Sequence, residues 1–184
     1  PFLPLLPKQI LLNNFLYDLP LMTIATDNVD PVEIARPHHW DIGQLQRFMV
    51  VFGLVSSSFD ILTFVLLIGV LHVPEAQFQT AWFVESLLTE LLVALVLRSR
   101  LSVLASRPSG LLLSSTGLVV ALTLVLPYFA GANWLFGLEP LPAGTMLVLL
   151  AIAGGYIGAT EIAKRWFFRP RRRRTRHRSA RARG

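Results

Sequence analysis

The stretch FMVVFGLVSSSFDILTFVLLIGVL, residues 48–71, decides the fold of this chain, because Asp60 is its single charged residue. About 20 apolar residues, each rising about 1.5 Å in a helix, match a bilayer core of about 30 Å, so such a run is typical of a membrane-spanning helix. The whole chain agrees. Of its 184 residues, 53% are hydrophobic and 15% charged, whereas a soluble domain carries about 25% charged residues.

Similar apolar runs recur along the chain and predict its organisation. We predict an all-α fold, a polytopic membrane bundle of five transmembrane helices in a domain over residues 1–169. A disordered basic tail over residues 170–184 is expected to follow it. The predicted spans are residues 5–25, 48–71, 78–97, 111–130 and 142–163. The sequence has no cysteine, which excludes disulfides and thiolate metal sites.

The basic residues predict the orientation of the bundle. If the spans alternate in direction, Lys8 lies on one side and the other sixteen of the seventeen Lys and Arg residues lie on the opposite side. The positive-inside rule then places the C-terminus in the cytoplasm and the N-terminus outside. Because no signal for exporting the N-terminus precedes it, we expect this chain to be a fragment of a longer protein.

The tail RPRRRRTRHRSARARG, residues 169–184, predicts a partner for the C-terminus. Each basic side chain near anionic lipid headgroups contributes about 1 kcal/mol of attraction, so we expect these headgroups to hold the tail. A simply solvated tail is the alternative. We predict no nucleic-acid partner, because neither aromatic side chains nor a structured module accompany the arginines.

The segment LLNNFLYDLP, residues 11–20, places polar side chains inside the first span. Asn14 and Asp18 are four residues apart, so they share one helix face. Carboxylate and amide oxygens are the ligands that magnesium and calcium prefer, and Pro20 loosens the helix beside them. The pattern predicts a cation site in the membrane, and the alternative is a protonated Asp18 that hydrogen-bonds a neighbouring helix.

Other acidic residues lie within the later spans. Glu85 and Glu90 are separated by about 140° around their helix and so face different directions. We predict that Glu85 supports the cation site, whereas Tyr17, Asp60 and Glu90 are secondary polar sites, with inter-helix hydrogen bonding as the alternative for Asp60. Glu161 is expected to snorkel or to pair with Lys164.

The remaining motifs favour structural roles. Gly154 and Gly158 have the spacing typical of close helix packing. His38 and His39 lack the spacing of a metal site. The sequence contains no P-loop, GxSxG or metalloprotease pattern, so we predict no catalytic residue within this chain.

Five blocks, in order along the chain, carry a resemblance to a known family. The chain resembles the C-terminal membrane region of P-type cation-transporting ATPases, most of all the magnesium-transporting group, up to about residue 169. The blocks are PLLPKQILLNNFLYDLP, IATDNVDPVEIARPHHWDIGQLQRFM, SSSFDILTF, QTAWFVESLLTELLVALVLRSR and GLEPLP.

The resemblance implies that the five spans correspond to the sixth to tenth helices of such a pump. Asn14 and Asp18 match the cation-site pattern of its sixth helix. Tyr17 stands where calcium pumps carry threonine, which favours magnesium over calcium. Glu85 matches by position an eighth-helix glutamate that contributes to the site in some relatives. Residues 27–41 resemble the cytoplasmic segment that lies near the phosphorylation domain.

The resemblance also implies a function. The chain would be the membrane part of a P-type magnesium-transporting ATPase of the plasma membrane, with Mg²⁺ as the transported ion. ATP and its Mg²⁺ would be bound by upstream domains, since this sequence lacks the DKTGT phosphorylation motif. Its partners would be the lipid bilayer and the upstream parts of the same pump. The alternatives are a pump for protons or calcium, and a free-standing membrane scaffold without transport.

Overall fold

A computed structural model describes residues 3–27, 42–98 and 108–167, and these ranges form helices and turns without a strand. The helices are α1 (Pro7–Ile24), α2 (Ile42–Phe64), α3 (Glu75–Leu97), α4 (Gly110–Val125), α5 (Ala130–Phe136) and α6 (Ala143–Phe167). A π-helical segment, Val65–Val70, continues α2, and a 3₁₀ turn, Leu126–Tyr128, continues α4.

Helix α3 is the centre of the bundle. It packs against α1, α4 and α6, whereas α2 packs mainly against α6. A helix that is apolar on every side is buried within a bundle, and in α3 the side chains of Phe78, Phe83, Leu87 and Leu91 are almost completely buried. Aromatic contacts tie the end of α2 to α3, with the Phe64 ring 5.5 Å from that of Phe78.

Four of the described helices are long and apolar enough to cross a membrane. They are Ile42–Val70, Glu75–Leu97, Gly110–Tyr128 and Ala143–Phe167. Helix α1 has 18 residues, about 27 Å of helix, but its asparagines and Asp18 make it more polar. The predicted helical membrane fold is confirmed, and the five predicted spans lie within a few residues of the observed long helices, except at the start of α2. The segment that joins α4 to α6 contains the short helix α5, which we did not predict.

The two ends of the bundle are held by different polar contacts. At the Gly137 end, Gln9 Nε2 donates to the Gly137 carbonyl oxygen at 3.2 Å, and Gly137 has a φ of 66°, which favours glycine. At the Asp27 end, Asp27 forms an ion pair with Arg98. The Ser109 N–H donates to Asp27 Oδ1 at 2.7 Å, so Asp27 joins α1 to both α3 and α4.

The basic residues of the described ranges lie mainly at one end of the bundle. Arg98 lies at the Asp27 end, and Lys164 joins it there because its Nζ donates to the Val96 carbonyl oxygen at 2.8 Å. Arg47 lies at the same end, since the ring of the adjacent Phe48 is 5.7 Å from the Phe167 ring. Lys8 is beside Gly137 at the opposite end.

Two of the expected contacts of α6 are not present within the described ranges. Glu161 pairs with Arg165, whose Nε lies 3.4 Å from Glu161 Oε1, and not with Lys164. No side chain packs on Gly154 or Gly158, whereas the intervening Gly155 packs against the Phe59 ring. The predictions for residues 28–41, which include His38 and His39, and for the tail over residues 170–184 concern segments outside the described ranges.

Candidate functional site

Helix α1 leaves one side uncovered by the rest of the described bundle. Asn14 and Asp18 are both exposed on that side, as the four-residue spacing predicts. Three large apolar side chains at helical spacing complete it, with exposed fractions of 72% for Leu11, 63% for Phe15 and 74% for Met22. We call these five residues the open face of α1.

The opposite side of α1 faces α3. Asn13 is only 6% exposed, and its Nδ2 donates to Glu90 Oε2 at 2.9 Å. Tyr17 is half-buried, and the charge of Glu90 acts on its phenol. Our sequence reasoning chose Asn14 and missed Asn13. The missed signal was that Asn13 and Tyr17 are also four residues apart, which places them together on the second face.

Pro20 does not interrupt α1, which continues to Ile24. Proline has no N–H to donate to the carbonyl of Leu16, one helical turn earlier. Beyond the proline, Thr23 Oγ1 bonds the Pro20 carbonyl oxygen at 2.7 Å and lies 3.0 Å from Ser115 Oγ of α4. A small pocket of about 10 Å³ lies beside Pro20 between α1, α3 and α4. It has room for about one water molecule.

Glu85 lies inside the bundle and is 0% exposed. Neither carboxylate oxygen has a hydrogen-bond partner in the described part of the chain. Its surroundings belong to α2 and α6, since the charge of Asp60, the Thr63 hydroxyl and the Tyr156 phenol all lie near it. Thr63 faces the carboxylate, but no hydrogen bond of normal geometry joins the two.

A second threonine extends this group on α6. Thr160 is 1% exposed, lies beside Tyr156, and its Oγ1 lacks a partner of normal hydrogen-bond geometry among the described residues. The Tyr156 ring is also fixed from the other side by Phe59, at 5.3 Å between ring centroids. We call Asp60, Thr63, Glu85, Tyr156 and Thr160 the buried oxygen cluster.

The structure therefore divides the six residues that the sequence singled out. The charge of Glu90 acts on Tyr17 between α3 and α1, and the charge of Asp60 acts on Glu85 between α2 and α3. Asn14 and Asp18 stay together on the open face of α1, whereas Glu85 is buried in the cluster and does not join them.

Within residues 3–27, 42–98 and 108–167, no three Asp, Glu or His side chains converge as a metal site. The predicted ligands Asn14 and Asp18 therefore belong to no such group of three among the described helices. In the buried oxygen cluster, Asp60 of α2 and Tyr156 of α6 interact electrostatically with Glu85 of α3.

Comparison with known proteins gives a consistent family. The family model described as "Cation transporting ATPase, C-terminus" matches residues 2–166. The chain is 41% identical over 174 residues to "Magnesium-transporting ATPase, P-type 1" of Salmonella typhimurium (strain 14028s / SGSC 2262). It is 40% identical over 174 residues to the protein of that name from Escherichia coli (strain K12). Each match covers 92% of this chain and 19% of the relative, so the chain spans about one fifth of the length of those proteins.

Proposed function

This chain belongs to the family of cation-transporting ATPase C-terminal regions, and on that premise we propose that it is the C-terminal membrane part of an ATP-driven magnesium pump. It would supply one side of the cation path, with Asn14 and Asp18 as ligands. The energy would come from ATP hydrolysis in other parts of the pump, which also bind ATP and its Mg²⁺. Those parts and the lipid bilayer are the partners of this chain.

The open face of α1 is the observation that carries the proposal. It places an amide and a carboxylate among three exposed apolar side chains, on a helix whose other side packs into a membrane bundle. A carboxylate at membrane depth costs about 2.5–3.5 kcal/mol on insertion scales and normally faces a bundle interior or an ion path. We therefore infer that further helices of the intact pump cover this face and complete the ligand set.

Magnesium is the ion that we propose, because the relatives at 41% and 40% identity are named magnesium-transporting ATPases. The ligand chemistry is compatible, since magnesium accepts one or two carboxylates and keeps several of its waters. We place the pump in the plasma membrane, and the distribution of basic residues supports a cytoplasmic C-terminus, because Arg47, Arg98, Lys164 and Arg165 gather at the Asp27 end.

The experiment is magnesium uptake by the intact pump in a bacterial strain that lacks its own magnesium transporters. The variant Asp18→Asn removes the charge and keeps the size of the side chain. We expect uptake to fall by more than about 100-fold, because even loss of an outer-shell partner costs about 10–100-fold in metal affinity or activity. The matched control Glu139→Gln alters an exposed carboxylate of the Gly137 end and should preserve uptake.

Retained uptake in the Asp18→Asn variant would reject Asp18 as a ligand. ATPase activity of the purified pump, measured against magnesium, calcium and pH in turn, separates a magnesium pump from a calcium or proton pump. If the intact protein showed no metal-stimulated ATPase activity and no uptake, the scaffold alternative would replace the proposal.

A further inference from the structure

We propose that α5 and the turn before it form an interfacial element, whose exposed aromatic side chains bind the boundary between headgroups and acyl chains in one bilayer leaflet. This leaflet is the one at the Gly137 end of the bundle, which under the proposed function is the outer leaflet. The contact differs from that of the membrane spans, which face the hydrocarbon core. It does not depend on which ion the pump carries.

An apolar surface on the segment that joins α4 to α6 is the first observation. The described residues leave Trp134 85% exposed, Phe129 65%, Leu135 54% and Tyr128 52%. We call these four side chains the aromatic face of α5. The sequence from residue 126 to residue 138 contains no Asp, Glu, Lys or Arg. An uncharged apolar surface of this kind marks a contact with a partner or a membrane.

The other side of α5 packs against the bundle and sets its orientation. Ala132 is 3% exposed and Leu138 is 0% exposed, and Phe136, four residues after Ala132, packs against the same hydrophobic core. The Tyr128 hydroxyl donates to the Leu141 carbonyl oxygen at 2.9 Å, which joins the two ends of the segment. The packing of this inner side therefore holds the aromatic face outward.

The lengths of the neighbouring helices place α5 at a membrane surface. The span Gly110–Tyr128 has 19 residues, about 28 Å of helix, which matches a hydrocarbon core of about 30 Å. The end of this span therefore lies at a boundary of the core. Helix α5 has 7 residues, about 10 Å, which is too short to cross a bilayer. The next span begins at Ala143, so the segment begins and ends at the same surface.

Charged side chains near both ends of α5 limit how deeply it can lie. Lys8 lies beside Gly137, the residue that follows the helix, and Glu139 is exposed two residues later. Ammonium and carboxylate groups avoid the hydrocarbon core and reach toward headgroups or water. Because α5 adjoins both, its level is the headgroup boundary, where tryptophan and tyrosine are enriched in membrane proteins.

Lipid fits the aromatic face better than water does, because the segment bonds its own backbone. The Asn133 N–H donates to the Phe129 carbonyl oxygen at 3.2 Å, and the Gly137 N–H donates to the Asn133 carbonyl oxygen at 2.9 Å. Contact with acyl chains leaves these groups satisfied. Exposed apolar side chains also continue along the chain into both adjoining spans, with Val125 60% and Leu147 67% exposed.

The first test measures the surroundings of Trp134 by fluorescence quenching, in the full chain reconstituted in phosphatidylcholine vesicles. The chain has 4 tryptophans, so the combined variant Trp40→Phe, Trp82→Phe and Trp166→Phe leaves Trp134 as the reporter. We expect lipid brominated close to the headgroup to quench it about twofold more than lipid brominated near the chain end. Aqueous iodide should quench it at most about one third as strongly as free tryptophan.

The matched control keeps Trp82 and replaces the other three tryptophans by phenylalanine. The Trp82 ring is stacked on Phe78 at 5.7 Å and lies 6.1 Å from the Phe64 ring. Because side chains of the bundle cover much of this ring, we expect brominated lipid to quench Trp82 about twofold less than Trp134.

The second test leaves every tryptophan in place, so it remains informative if the combined variant does not fold. The chain has no cysteine, so Leu135→Cys and Glu139→Cys each introduce one site for a spin label. Oxygen concentrates in lipid, whereas a nickel chelate stays in water. We expect the ratio of oxygen to nickel accessibility to be about threefold or more higher at position 135 than at position 139. The same pair is measured in the intact pump, with any cysteine outside this chain replaced.

The contrary outcomes overturn the proposal in distinguishable ways. Quenching of Trp134 by iodide and not by lipid would place the aromatic face in water. If no quencher reached Trp134, or if neither oxygen nor nickel reached position 135 in the intact pump, protein would cover the face, either another part of the pump or a second copy. Magnesium uptake by the Asp18→Asn variant bears on the proposed function alone, because none of these measurements involves the ion.

Discussion

Asp18 and Glu85 are both carboxylates within long helices of one membrane bundle, yet their surroundings are opposite. Asp18 is exposed on a helix that packs on one side only, whereas Glu85 is 0% exposed on the helix that packs against α1, α4 and α6. A carboxylate on an open face needs a partner from outside the described chain. A carboxylate inside the bundle has its neighbours already, and they are oxygens.

The difference teaches that position within the bundle, and not residue type, decides what a membrane carboxylate can do. Asp18 is accessible to any helix that packs on the open face, so under the proposed function it suits a path that other parts of the pump complete. Glu85 is fully buried, and the polar groups that act on it include Asp60 and Thr63 of α2 and Tyr156 of α6.

The largest effect that we predict concerns how α1 is held, since its open face contributes no contacts to the described bundle. Asp27→Ala removes the ion pair with Arg98 and the bond from the Ser109 N–H. Breaking a buried pair typically costs about 3–5 kcal/mol, and we expect a loss of about 3 kcal/mol in the free energy of unfolding. Unfolding of the chain in mixed micelles by increasing sodium dodecyl sulfate measures it.

Glu161→Gln is the matched control for that prediction. It breaks the pair with Arg165, whose side chain is 70% exposed, and exposed pairs of this spacing contribute about 0.3–0.5 kcal/mol. Equal effects from the two variants would mean that Asp27 does not anchor α1.

A second prediction compares the two carboxylates directly. In buffer with a chelator, Glu85→Leu should raise the free energy of unfolding by about 1–3 kcal/mol, because it removes a buried carboxylate that has no donor. Asp18→Leu, on the open face, should change it by less than about 0.5 kcal/mol. The same micelle unfolding assay measures both. Destabilisation by Glu85→Leu under these conditions would show that the carboxylate has a structural partner and would weaken the comparison.

The smallest effect separates two adjacent asparagines on the two faces of α1. Asn13→Ala loses the 2.9 Å bond to Glu90 and should cost about 1 kcal/mol of unfolding free energy, within the range for hydrogen bonds between membrane helices. Asn14→Ala should leave the free energy of unfolding within about 0.5 kcal/mol and lower magnesium uptake by the intact pump. The reverse assignment would mean that α1 is rotated relative to the described bundle.

The sequence was sufficient to predict the helices because the bilayer restricts which secondary structures a chain can form. Residues 48–71 hold a single charge, and no backbone group within a bilayer can go unbonded, so a helix is the structure that such a run adopts. The short helix α5 was not predicted, because it has only 7 residues and is too short to form an apolar run of membrane length.

Periodicity was also sufficient to predict which residues share a helix face. It predicted that Asn14 and Asp18 lie together and that Glu85 and Glu90 point in different directions, and both hold in the structure. Periodicity could not predict which neighbouring helix each face contacts. A spacing of four residues joins Asn13 to Tyr17 as well as it joins Asn14 to Asp18, and the sequence contains nothing that ranks the two pairs.

The sequence by itself determined that this chain forms apolar helices of membrane length and that Asn14 and Asp18 lie one turn apart. These properties depend on local composition and on the fixed geometry of a helix. Only the tertiary structure decided that Asn13 faces Glu90 while Asn14 is exposed, and that Glu85 meets Asp60 and Tyr156 rather than Asp18. Those pairings depend on how each helix is rotated against its neighbours, and that rotation is set by the packing of the whole bundle.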